Sequence, residues 1–181
     1  MRLALSQQEE ASTRAVTAAS SVNSQMAGLV LLSGMLATQD GGHPIFRLPV
    51  FALDYLQPSL TASFLQMAFE PGCEPELLAS QEAACNANPM HVCKAYYRQV
   101  RGLSAEAIRS LSTGPLPCWL AHGDADGVLP IAGAVALHAV LEPATRGELI
   151  VFPGASHNFI LERAAAAADL LHEILQELAT R

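Results

Sequence analysis

Ala121-His122-Gly123-Asp124-Ala125-Asp126-Gly127-Val128-Leu129-Pro130 is the stretch on which the reading of this chain turns, together with Val151-Phe152-Pro153-Gly154-Ala155-Ser156-His157-Asn158-Phe159 further along. The apolar run at 117–121 is long enough for a buried parallel strand, and His122-Gly123 breaks it into a loop that carries Asp126. A second apolar run at 148–152 is stopped by Pro153-Gly154 and delivers His157 to another loop. Two successive parallel strands would present both loops at one carboxyl edge, the edge where open α/β sheets bind ligands. A carboxylate bonded to one imidazole nitrogen fixes the tautomer and leaves the other nitrogen free to take a proton from a nucleophile. Asp126 and His157 are therefore the candidate catalytic acid and base. Asp124 is the second choice, with a structural role preferred for it. The plainer expectation for Asp126 is that it caps the helix beginning near Pro130.

Upstream, Ala27-Gly28-Leu29-Val30-Leu31-Leu32-Ser33-Gly34 predicts another strand over 27–33. Residues 1–20 favour helix by composition, and Ser20-Ser21-Val22-Asn23-Ser24 reads as a loop. Prolines at 49, 58, 71, 75 and 89 punctuate a helical insertion, with helices expected at 50–56, 59–69, 75–85, 89–100 and 104–110. The last helix places Leu170, Leu171, Ile174, Leu175 and Leu178 on one stripe, expected to pack on the sheet. The fold class is α/β, with three parallel strands, flanking helices and a helical insertion.

The strand at 27–33, the insertion, Gly123-x-x-Asp126-x-x-x-Pro130 and Gly154-Ala155-Ser156-His157 together resemble the α/β-hydrolase superfamily over most of the chain. The resemblance implies that 1–37 and 114–181 form the C-terminal part of a hydrolase core and that 38–113 form its cap. Phe51, Leu56, Phe64, Met67 and Phe69 make this cap similar to those of the α/β-hydrolase-domain-containing proteins. The family's chain order is nucleophile, acid, histidine, yet the sequence holds no Gly-x-Ser-x-Gly elbow. Ser33 follows a strand, but it lacks the preceding glycine and comes one strand too late. The expectation is a partial fold whose nucleophile, serine or aspartate, lies upstream, with Met1-Arg2-Leu3-Ala4-Leu5-Ser6 similar to the helix that leaves the elbow. By this resemblance the whole protein hydrolyses an ester, thioester or lipid-like acyl bond in a small apolar substrate, and the chain alone is inactive. The contrasting expectation is a catalytically dead product that keeps the cap as a binding surface, or a partial product of a longer gene. The missing N-terminal portion is then itself a candidate partner.

Composition narrows the remaining classes. Half of the 181 residues are hydrophobic, which excludes a disordered chain, and the formal charge of -7 argues against nucleic acid as partner. Residues 48–69 are apolar but interrupted by Pro49, Asp54 and Pro58, so no transmembrane span is expected. Cys73, Cys85, Cys93 and Cys118 lack paired zinc spacing and follow no secretory signal, so they are expected as free thiols in a cytoplasmic setting. His91 and Cys93 diverge on a helix, and neither a metal nor another cofactor is expected. His43, His91, His122, His138 and His172 are expected as surface or turn residues.

Overall fold

The computed structural model describes residues 27–34, 43–99, 105–112, 116–141, 143 and 145–180. The helix expected at 1–20 and the serine-rich loop after it lie outside the described residues. Strand β1 (Leu29–Leu32) leads through a 3-10 turn at Pro44–Arg47 into four helices: α1 (Val50–Ala68), α2 (Pro75–Asn86), α3 (Met90–Gln99) and α4 (Ala105–Ser112). The chain then alternates β2 (Cys118–Gly123), α5 (Ile131–Val140), β3 (Arg146–Phe152), the single-turn α6 (Phe159–Glu162) and α7 (Ala164–Ala179). The three strands form one parallel sheet in the order β1-β2-β3.

Period-two alternation divides the strand side chains between two cores, one on each face of the sheet. Val30, Trp119, Ala121, Ile150 and Phe152 pack with Ala155, Phe159 and the α7 residues Ala167, Leu170 and Ile174. Leu29, Leu31, Cys118, Leu120 and Leu149 pack with Ile108 of α4 and with Leu137, Val140 and Leu141 at the end of α5. Helices on both faces explain why every residue of β2 is buried and why its sequence reads as a continuous apolar run.

Three expectations change. The helices expected at 50–56 and 59–69 are one helix, α1, which runs through Pro58. Proline's fixed φ suits a helix; what it removes is an N–H bond to the carbonyl four residues back. Both Asp54 and Pro58 lie on the exposed side of α1, where solvent serves that carbonyl. The stripe on the last helix is narrower than expected: Leu170 and Ile174 are buried and Leu178 half-buried, but Leu171 and Leu175 face outward. Ala167 joins Leu170 and Ile174 on the buried face. His122, expected as a surface or turn residue, is a fully buried member of β2. Among the described residues no helix is long and apolar enough to cross a membrane.

Candidate active site

The acid loop begins where β2 ends. Gly123 passes so close to the neighbouring loop that a Cβ on it would lie 2.2 Å from the Ala155 carbonyl oxygen, so only glycine fits. Asp126 then folds its own loop: Oδ1 accepts from the backbone N–H of Val128 at 2.8 Å and of Leu129 at 2.7 Å. This turn stands in place of a helix cap, because α5 begins at Ile131 after Pro130, with no side-chain cap at all. Oδ2 remains available and lies 2.8 Å from His157 Nδ1. A carboxylate only accepts, so the proton sits on Nδ1 and the Nε2 lone pair is free. Among the described residues nothing bonds that Nε2. The Asp126 side chain is wholly buried while that of His157 is 22% exposed.

The histidine loop is fastened to the acid loop along its length. Asp124 N–H donates to the Phe152 carbonyl and Ala125 N–H to that of Ala155. Asp124 Oδ1 accepts from Gly154 N–H at 2.6 Å, where Gly154 takes a left-handed φ of 69° that favours glycine. Asp124 is thus the structural acid and makes no bond to His157. Ser33, set aside as nucleophile, donates from Oγ to the His157 backbone carbonyl at 2.8 Å and holds a left-handed φ of 49°. That bond holds the backbone of His157.

The end of α1 ties the insertion to both loops. The Met67 carbonyl accepts from Gly127 N–H, next to Asp126, and the Ala68 carbonyl accepts from Asn158 N–H, next to His157. Ser156 Oγ is buried against the Ala68 carbonyl and the Glu162 carboxylate, whose other oxygen accepts from Glu70 N–H. Arg163 completes the junction, donating to Glu70 Oε1 at 2.7 Å and to the Pro153 carbonyl at 2.8 Å. The bond to Glu70 raises the Arg163 guanidinium above its ordinary range, so it stays charged. The Met67 and Ala68 carbonyls are the unpaired ones at a helix C-terminus, which need partners from outside the helix.

Sequence reasoning thus identified the two residues that meet. It missed the supporting set of Ser33, Ser156, Glu162 and Arg163, whose polar side chains carry no spacing signal, and it misplaced His122.

No family model and no curated protein matches the sequence. The fold does match solved structures. A thermophilic esterase from Thermogutta terrifontis superimposes with a TM-score of 0.64 at 16% identity, over 84% of this chain and 56% of that one. An esterase from Exiguobacterium antarcticum gives 0.62 at 17% identity, over 83% and 57%. A 2-hydroxy-6-oxo-6-phenylhexa-2,4-dienoate hydrolase from a Rhodococcus strain gives 0.57 at 18% identity, over 82% and 55%. The chain therefore spans little more than half the length of the structures it matches. Its fold is that of part of an α/β-hydrolase: three parallel strands in one sheet with their flanking helices.

Proposed function

We propose that the chain supplies the acid and the base of a hydrolase that cleaves an ester or related acyl bond, and that the nucleophile comes from a portion preceding β1. The observation that carries this reading is the 2.8 Å pairing of a sealed Asp126 carboxylate with a partly exposed His157. In the complete site the nucleophile hydroxyl would give its proton to His157 Nε2 while its oxygen attacks the carbonyl carbon. His157 then returns that proton to the leaving group, and Asp126 stabilises the imidazolium between the two steps. Backbone amides beside the nucleophile would receive the oxyanion. An aspartate nucleophile would use the same pair to activate water.

The substrate is proposed to be small and apolar on its acyl side. Leu32 and Met67 are 37% and 43% exposed, and each adjoins a residue or peptide group bonded to the acid or histidine loop. Mostly apolar walls with a few polar groups suit such a ligand. The insertion at 38–113 is read as the cap that roofs it.

The test uses a fluorophosphonate probe. The 181-residue chain alone is expected to stay at the level of a heat-denatured control, because its sequence holds no Gly-x-Ser-x-Gly elbow. Joined to an upstream segment bearing Gly-x-Ser-x-Gly, it is expected to label at that serine and to hydrolyse 4-nitrophenyl butyrate, with His157→Gln abolishing both. Stoichiometric labelling of Ser33, or of any serine of the chain alone, would overturn the reading.

A further inference from the structure

Asp126 is approached by a second imidazole. His122 is fully buried near the end of β2, with Nε2 2.8 Å from the Leu129 carbonyl oxygen and 3.3 Å from Asp126 Oδ2. Both neighbours only accept, so Nε2 carries the ring proton and Nδ1 is left as an acceptor. Nδ1 is buried and finds no partner among the described residues.

We propose that His122 is a positioning residue for the acid, acting through the single proton on Nε2. The proposal rests on reading Asp126 and His157 as acid and base. Leu129 shows how the device works: its N–H is held by Asp126 Oδ1 and its C=O by His122 Nε2, so the two side chains fix the peptide groups on either side of one Cα. The Asp126 carboxylate is thereby surrounded by four donors: Val128 N–H, Leu129 N–H, His157 Nδ1–H and, at longer range, His122 Nε2–H. That number matches its acceptor capacity, and the carboxylate has no free direction in which to turn. An apolar side chain would fill the same space without stranding a buried nitrogen, which is unfavourable. The polarity of this position is therefore explained by the Nε2 side of the ring. Without that donor, the Leu129 carbonyl and one lone pair of Oδ2 go unserved, and water entering beside the carboxylate competes with His157 for Oδ2.

Two amide substitutions separate the nitrogens. In His122→Gln the side-chain NH2 reaches the place of Nε2, while in His122→Asn it stops near the place of Nδ1. The readout is the tautomer ratio of His157, measured in the 181-residue chain by long-range proton–nitrogen-15 correlation at pH ~9, where free imidazole is neutral. His157→Gln assigns the signals. The native chain and the Gln variant are expected to hold His157 as the Nδ1–H tautomer, and the Asn variant to move the ratio toward Nε2–H by about fivefold. A native ratio in the Asn variant would show that the donor is not needed, an equal shift in the Gln variant that the donor does not suffice, and either would overturn the proposal. Should the Asn variant fail to fold, the Gln variant decides alone, a native ratio supporting the role and a shifted one removing it. Asp126→Asn distinguishes the two levels. A ratio that it leaves unchanged refutes the acid–base pair itself and His122's role with it, whereas a shift there with no difference between Gln and Asn refutes His122 only.

Discussion

At Asp126 a single side chain does two structural jobs with its two oxygens, and the division predicts how its variants behave. Oδ1 organises the loop through Val128 and Leu129 and Oδ2 holds His157, so Asp126→Asn can keep one function and lose the other. In an enzyme completed by its nucleophile, Asp126→Asn is expected to lower kcat by about 10⁴, because the amide can hold the imidazole in the wrong tautomer. Thermal unfolding should change little, and a variant retaining more than a hundredth of the native kcat would deny Asp126 its role. Ser33 offers a second contrast, since its left-handed φ is imposed on a residue with a Cβ. Ser33→Ala and Ser33→Gly both delete the bond to the His157 carbonyl, but only glycine relieves the backbone. The glycine variant is expected to be the more stable of the two by about 1 kcal/mol in urea unfolding, and an alanine variant equal to it would argue against strain at this position.

Among the elements, α1 shows both what the sequence makes legible and what it hides. The alternation of apolar runs with glycine and proline stops is a property of short segments, so β2, β3 and their loops can be read directly, and with them Asp126 and His157. Pro58 is misleading for the same reason: locally it breaks a helix, and only the exposure of that side of α1 shows why the helix continues. His122 and the outward Leu171 and Leu175 could not be assigned from sequence, because burial depends on the elements packed above them. The bonds from the end of α1 to residues 153–163 join positions far apart in the chain and leave no periodic trace. Glu70 and Arg163 provide a test of that junction. Both side chains are about a quarter to a third exposed, so a double-mutant cycle with Glu70→Ala and Arg163→Ala is expected to give only a weak coupling, diminishing as salt is added. No coupling at low salt would mean that Glu162 and Ser156 hold the junction without them.

For the molecule as a whole, the decisive feature is the open side of β1. Leu29 donates to Pro117, just before β2, and Ser33 to Ala121 on it, so by alternation the amides of Val30 and Leu32 point to the other edge, which has no partner among the described residues. Hydrogen exchange is expected to be slow at Leu29 and Ser33 and fast at Val30 and Leu32, with the purified chain tending to self-associate through that apolar edge. Adding the proposed upstream portion should protect Val30 and Leu32. A monodisperse chain already protected there would show that another of its own segments lies along the edge. The other end of the architecture has a different meaning, visible in how the insertion is attached. Helices α2 and α3 pack chiefly on α1, while the last turn of α1 alone carries the carbonyls that Gly127, Asn158 and Ser156 bind. Over generations, length and composition can drift across α2 and α3, reshaping whatever the insertion covers, with little disturbance to Asp126 and His157. One residue added within the last turn of α1 would instead rotate its end by about 100° and unhook all three bonds at once. Inherited variation should therefore accumulate in the two outer helices and stop abruptly at Met67.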